Sequence, residues 1–311
     1  MQKSSITLKQ LRGLIAVAEH RSMTAAAEAL HQTTPTIHSQ IRTLEEIVGR
    51  PLVMRTDAQT GFRLTPAGAA LAKAARRIEA NLSQAEAEIA AMTRGYMGHV
   101  RLSVVSTGKY FAPRLVRHLH ELVPEIEVSL RFGNRKEVIA DLDQRATDLA
   151  VMGRPPRTQV VTATPLGPHP HGIILPPNHR LAGRDGFDPA DLLEETFMSR
   201  EEGSGTRSLM LRYFDRLAEV IEPRLIPMAS NETIKQAVMA ELGIAFLSLH
   251  TCRDELQSGR LVALRGLGLP VMGHWYLVRP AETAPDAATL RVAQAIENLG
   301  GAYLPQLTGN G

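Results

Sequence analysis

Between Ser22 and Leu64 the chain gathers short hydroxyl, amide and basic side chains in an order suited to touching a nucleic acid. Thr33-Thr34-Pro35 has the form of a helix start: a threonine cap, then proline in the first turn, where a missing N–H costs nothing. Ile37, Ile41 and Leu44 follow at i, i+4 and i+7, which buries one face of that helix. The opposite face carries Thr36, Ser39, Gln40 and Thr43, with His38 and Arg42 at its margins. Short hydrogen-bonding side chains near a helix N-terminus, presented by a second helix, are how helix-turn-helix proteins enter the major groove. The small apolar run Thr24-Ala-Ala-Ala-Glu-Ala-Leu30 supplies that second helix. A double-stranded DNA operator is the expected partner, with Thr33, Thr34, Pro35, Thr36, His38, Ser39 and Arg42 at the interface. For His38, contact with a phosphate or base and a merely solvated position both stay open.

A second group of residues has the chemistry of anion capture. Ser106 and Thr107 follow a strand and precede a helix, where hydroxyls and free N–H groups favour negative charge; a plain strand-to-helix cap is the alternative. In Gly203-Ser-Gly-Thr-Arg207 the glycines allow close backbone approach, while Thr206 and Arg207 add a hydroxyl and a planar fork for carboxylate or phosphate. The same stretch also reads as an ordinary loop, and it lacks the spacing of an ATP-binding loop. Arg154 stands between a strand and Pro155-Pro156, at the strand end where open α/β sheets bind ligands; otherwise it is a surface arginine. Lys109 and Arg135 follow other strand ends, and Asn231 and Thr233 open a helix that they could equally well only cap. Spacing alone does not bring these residues together; if the fold gathers them on one cleft, they suit an anionic effector, a phosphorylated metabolite or a dicarboxylate.

Other chemistries are poorly served. His169 and His171 flank Pro170 without further ligands at usable spacing, so no metal is expected. Cys252 reads as a packed apolar residue rather than a redox sensor. Neither a Gly-x-Ser-x-Gly elbow nor a His-Glu-x-x-His pair occurs, and no cofactor or enzyme activity is expected.

These residues need elements to hold them. Residues 7–20 form a helix candidate, with Thr7 as cap and Leu8, Leu11, Leu14, Ile15 and Ala18 on one face. Arg50–Arg55 and Gly61–Thr65 flank Thr56–Thr60 as a hairpin wing, from which Arg55 and Arg63 reach the backbone or minor groove. Pro66 starts a long helix on which Leu71, Ala75, Ile78, Leu82, Ala85, Ile89 and Met92 are spaced alternately by 4 and 3. That heptad seam suits a dimerising coiled coil; the alternative is an amphipathic helix lying on its own domain. Gly95–Gly98 reads as a hinge.

From His99 the pattern becomes α/β. Strands are expected at 100–105, 128–132, 148–152, 160–164, 172–175, 196–199, 224–228, 244–248, 261–264 and 274–278. Helices are expected at 111–122, 134–145, 208–220, 232–241 and 287–299. Such alternation implies a mostly parallel sheet covered on both faces.

At 311 residues the chain has room for two or three domains. No apolar run reaches the roughly 18 residues of a membrane span, and the N-terminus lacks the apolar core of a signal peptide. One cysteine excludes an intrachain disulfide framework, so the cytoplasm is the expected location. The formal net charge of +3 falls entirely within the first 65 residues, the segment expected to meet phosphates.

Taken in order, Thr24–Leu30, Pro35, Gln40-Ile41, Leu44-Glu45, Gly49, Pro51-Leu52, Arg55 and Leu64-Thr65-Pro66-Ala67-Gly68 resemble the N-terminal pattern of LysR-type transcriptional regulators. His38 and Ser39 depart from it, standing where Ser and Arg are usual. A narrower resemblance joins Val105–Pro113, Asp148–Pro156, His169–His171, Arg200–Arg207 and Ser230–Val238 to the CbbR-type regulators of Calvin-cycle operons. The resemblance implies an α/β fold with an N-terminal all-α winged helix-turn-helix, a long linker helix and a two-lobed effector domain like a periplasmic binding protein. Its divisions would be 1–65 for the winged domain, 66–94 for the dimerisation helix, 95–98 for the hinge and 99–311 for the effector domain. Within the last, lobe I would take about 99–162 and 271–305 and lobe II about 165–268, joined by crossovers near Val161–Pro165 and Leu269–Gly273. It further implies a dimer assembled into a tetramer, contact with RNA polymerase, and activation of CO2-fixation genes by a sugar phosphate or another anion. A LysR-type regulator of aromatic or amino-acid metabolism is the alternative, followed by an α/β enzyme or a solute-binding protein.

Overall fold

The first helices begin where a side-chain oxygen can hold a free N–H. Thr7 caps α1 (Leu8–His20) in a capping box with Gln10, Ser22 caps α2 (Met23–Ala29), and Thr33 caps α3 (Thr34–Val48) with Pro35 in the first turn. Leu14, Val17, Ala26, Ile37, Ile41 and Leu44 form their shared core. Glu45 ties the end of α3 to the wing, its Oε1 accepting from the N–H groups of Leu52 (2.8 Å) and Val53 (3.3 Å). The wing itself is β1 (Val53–Arg55) paired antiparallel with β2 (Phe62–Leu64). α4 (Pro66–Thr93) starts hard against it: a Cβ on Gly68 would meet the Leu52 carbonyl oxygen at 1.9 Å.

The computed structural model describes residues 5–55, 61–157, 159–184, 186–217, 223–281 and 284–307. The expected wing tip Thr56–Thr60 and the end of the helix expected at 208–220 lie outside them. Contacts divide the chain into two units, Met1–Glu86 and Ala87–Gly311.

The second unit opens with β3 (Gly98–Val105), a 3-10 turn over Ser106–Tyr110, α5 (Ala112–Leu122), β4 (Ile126–Gly133), α6 (Arg135–Gln144) and β5 (Leu149–Met152). It continues with β6 (Val161–Leu175), β7 (Thr196–Arg200), α7 (Gly205–Leu217), β8 (Arg224–Met228), α8 (Asn231–Met239) and β9 (Ala245–Ser248). α9 (Arg253–Gln257), β10 (Val262–Ala263), β11 (Val271–Pro280) and α10 (Ala287–Asn298) complete it. The main sheet runs β10-β6-β11-β5-β3-β4, with β9 also paired to β6, while β7 and β8 pair separately. Each lobe has its own apolar core. Leu102, Val104, Leu115, Val151 and Ile296 pack together in the first. Ile173, Phe197, Phe214 and Phe246 centre the second.

The main sheet is mixed rather than mostly parallel. β3 lies parallel to β4 and β5, but β11 runs antiparallel to β5 and β6, and β6 antiparallel to β9 and β10. The two strands expected at 160–164 and 172–175 are one, β6, because Pro165, Pro168 and Pro170 do not break it. Between residues 165 and 170 β6 has β11 on one side and no paired strand on the other among the described residues, and a strand tolerates proline at such an edge. α9 has no counterpart among the expected helices; its five residues are too few to show a helical period. No helix among the described residues is long and apolar enough to cross a membrane.

Candidate DNA interface and effector cleft

On α3 the side chains of Thr33, Pro35, Thr36, His38, Ser39 and Arg42 are exposed and Thr34 is half-buried. Thr33 Oγ1 takes the Thr36 N–H and lies 2.8 Å from the Thr36 hydroxyl, so the cap also orients the exposed Thr36 side chain. Gln40 and Thr43 turn back to their own domain: Gln40 Nε2 donates to Gln32 Oε1 (2.9 Å) and Thr43 Oγ1 to the Ser39 carbonyl (2.9 Å). His38 meets Phe62 of β2 edge-on, with ring centroids 6.4 Å apart. Arg42 pairs with Glu46 one turn on (3.1 Å), an exposed pair that opens at little cost. Arg55 and Arg63 are exposed on the two strands of the wing.

Of the expected seam, Ala75 is buried within the chain and Leu71 packs on the winged domain's own core, so neither is free for a partner helix. Ile78, Leu82 and Ile89 are 41%, 38% and 64% exposed, and Ala85 is exposed with them.

In the second unit, a cleft of about 1210 Å³ opens between the elements of the two lobes. The carboxyl end of β3 brings Ser106 and Thr107 to it, the loop after β5 brings Arg154, α6 brings Arg135, and the start of α7 brings Thr206. Arg135 donates to the carbonyl oxygens of Arg154 and of Pro155 (3.2 Å for the latter), which fixes the loop carrying Arg154. Burial, then the charges of Arg154 and Arg212, lowers the pKa of Arg135. The other expected residues stand elsewhere. Lys109 lies over the Phe132 ring at 5.8 Å, and Thr233 is engaged with Ser230 at the helix cap. Arg207 turns back to the Ser199 hydroxyl (3.4 Å) and the Arg200 carbonyl (3.2 Å), because its place in the first turn of α7 points it at the end of β7. Asn231 accepts from Arg200 (2.6 Å).

Arg200 is the centre that sequence reasoning passed over. It is 3% exposed, pairs with Glu201 (2.7 and 2.8 Å), holds Asn231 and reaches Ser106 Oγ of the other lobe at 3.0 Å. It ends a parallel strand, the same signal that marked Arg154. Arg157, Arg212 and Arg216 add charge to the lining; the last two stand one turn apart on α7. Burial, then Arg154, Arg216 and Arg157, lowers the pKa of Arg212. Among the described residues Asp215 is the one carboxylate on the lining.

The floor belongs to the crossover strands. His169 and His171 of β6 line it, and His169 stacks on Trp275 of β11 with centroids 3.7 Å apart. Trp275 Nε1 donates to His250 Nδ1 (3.1 Å). Burial pushes His169 well below the ordinary imidazole range, and His171 and His250 each to about 4. Cys252 is buried and its thiol is pushed up to about 12 by that burial. No group of His, Cys, Asp or Glu among the described residues is arranged to hold a metal.

The family pattern for the bacterial regulatory helix-turn-helix protein of the lysR family matches residues 8–69, and that for the LysR substrate binding domain matches residues 93–300. The chain belongs to the LysR family of transcriptional regulators. This LysR-type chain is 54% identical over 301 residues to the HTH-type transcriptional regulator CbbR of Cereibacter sphaeroides, covering 97% of each. It is 39% identical over 288 residues to the RuBisCO operon transcriptional regulator of Allochromatium vinosum, covering 92% of this chain and 94% of the relative. It is thus a regulator of the CbbR, RuBisCO-operon type and not an enzyme. Among solved structures, the CcmR regulatory domain of Synechocystis PCC6803 in complex with 2-PG matches with TM-score 0.62 and 31% identity, over 66% of this chain and 98% of that one. Full-length CbnR complexed with its target DNA matches with TM-score 0.61 and 21% identity, over 94% and 99%, a likeness of fold.

Proposed function

We propose that this LysR-type regulator activates CO2-fixation genes when a phosphorylated metabolite, or another anion of similar charge, occupies the cleft between its lobes. The observation that carries the reading is the cleft lining, which among the described residues holds Arg135, Arg154, Arg157, Arg200, Arg212 and Arg216 against one carboxylate, Asp215. A guanidinium presents a planar fork of donors to phosphate oxygens and stays charged throughout the physiological range. Ser106, Thr107 and Thr206 add hydroxyls to the lining. The divisions given above, at 65, 94 and 98, fit this reading, with the exposed apolar residues from Ile78 to Ile89 pairing two chains and two dimers forming a tetramer.

In the proposed mechanism, Thr33, Thr36, His38, Ser39 and Arg42 meet base edges or phosphates in the major groove while Arg55 and Arg63 hold the flanking backbone. The effector acts through its different affinity for two arrangements of the lobes, which alters DNA bending and polymerase contact in the cytoplasm. The test is a footprint on the upstream region of a carboxylase operon, taken with and without sugar phosphates. Protection that weakens with salt and changes in extent with a sugar phosphate is expected. A footprint indifferent to every phosphorylated compound would refute the effector assignment.

A further inference from the structure

One ring on the cleft floor has a single edge left to use. His171 is 6% exposed and still lines the cleft. It packs against two rings, His169, tilted by 47° with centroids 4.1 Å apart, and Phe246, near-parallel at 6.0 Å. One ring edge is tied as well, since Nδ1 lies 3.1 Å from the carbonyl oxygen of His169. A carbonyl only accepts, so Nδ1 carries the proton. Burial disfavours a second proton, holding the pKa at about 4, and nearby His250 adds to this. Nε2 is therefore an unprotonated nitrogen with a free lone pair, and it has no partner among the described residues. The arginines of the lining only donate. A bare anion, which only accepts, satisfies them and leaves Nε2 empty.

We propose that His171 sets the effector's chemical class: its Nε2 accepts a hydrogen bond from a hydroxyl on the ligand's carbon skeleton, so that the cleft selects hydroxylated organic phosphates over phosphates of plain alkyl chains. The proposal rests on the reading of the cleft as a phosphate site. It fits a lining whose six arginines only donate and which also carries His171. A buried acceptor left unpaired is costly, and a site built to receive a hydroxyl rejects the analogue that lacks it.

The experiment is calorimetric titration of the full chain with glycerol 3-phosphate and with n-propyl phosphate, which share a phosphate monoester on the same carbon count and differ in hydroxyls. The wild-type chain should bind glycerol 3-phosphate about tenfold more tightly, the ratio expected for one buried hydrogen bond. His171→Phe keeps a ring between His169 and Phe246 without the lone pair, and should bind the two compounds alike. His171→Gln, which restores an acceptor, should recover part of the preference. Equal affinities in the wild type, or a preference that survives in His171→Phe, overturn the proposal while leaving the phosphate site standing. Binding of neither compound to the wild type overturns the phosphate reading, and this proposal with it. If His171→Phe binds neither, His171→Gln decides: retained preference supports the proposal and lost preference overturns it.

Discussion

Replacing Arg200 by alanine would remove one of the groups that bond across the two lobes. Its guanidinium makes two bonds to Glu201, one to the buried Asn231 amide oxygen and one to Ser106 across the cleft. The Glu201 side chain is 28% exposed and recovers water in the variant, so that pair counts for less than a fully buried one. The bond to Asn231 is buried and that to Ser106 part-buried, and both have a charged donor, about 1.5–3 kcal/mol each at most. A loss of about 3–5 kcal/mol follows, within the range for breaking a buried charged network. For a domain of this size that lowers the midpoint by roughly 10 °C. Trp275, the only tryptophan in the chain, lies fully buried in the same unit, so its fluorescence follows the melting of the effector domain. Ser106→Ala removes one partner and should cost about 1 kcal/mol. An Arg200→Ala chain melting within about 2 °C of wild type would refute this account of how the lobes are held.

Operator affinity should fall linearly with salt on logarithmic axes, and Arg55→Ala and Arg63→Ala should each reduce the slope by about 1; unchanged slopes would take both residues off the phosphates. Leu82→Glu or Ile89→Glu should reduce the mass seen in sedimentation, and an unaltered mass would remove that face of α4 from self-association. Arg212→Ala or Arg216→Ala should weaken sugar-phosphate binding about tenfold by calorimetry, and equal affinities would leave them as surface charges. Stability should also decline in acid. His171 and His250 titrate near 4 when folded and His169 well below its ordinary 6.5, so the unfolded chain binds more protons below 6.5. Their contribution is complete above about pH 6.5 and shrinks as pH falls toward 4. The melting midpoint should fall across that window, less steeply in His171→Phe; equal slopes in the two chains would contradict this.

The winged domain was legible because its signals are local. Thr33 and Pro35 mark a helix start and Ile37, Ile41 and Leu44 its inner face, and the structure begins and buries α3 accordingly. β6 reads as two strands because proline breaks most strands, and only the lack of a paired strand opposite β11 between 165 and 170, among the described residues, tells that N–H groups are not needed there. Arg207 drew notice for its glycine-rich loop, whereas Arg200, the last residue of a short buried strand, bonds across the lobes. Which arginine faces the cleft depends on how the start of α7 meets the end of β7, and that is a tertiary fact. The tautomer of His171 is likewise invisible until the carbonyl of His169 is seen beside it.

The strand order has a consequence for how this chain is made. β11 lies between β5 and β6 in the middle of the main sheet, and Met152 of β5 faces Tyr276, more than a hundred residues later in the chain. On the ribosome, the edge of β5 therefore waits unpaired while more than a hundred further residues are synthesised. The winged domain, built from neighbouring helices, has no such wait. Non-local pairing of this kind is slow and leaves a strand edge open to wrong partners. Truncation ahead of Val271 should then do more than shorten the protein: it should split the sheet and leave a nascent chain dependent on chaperones.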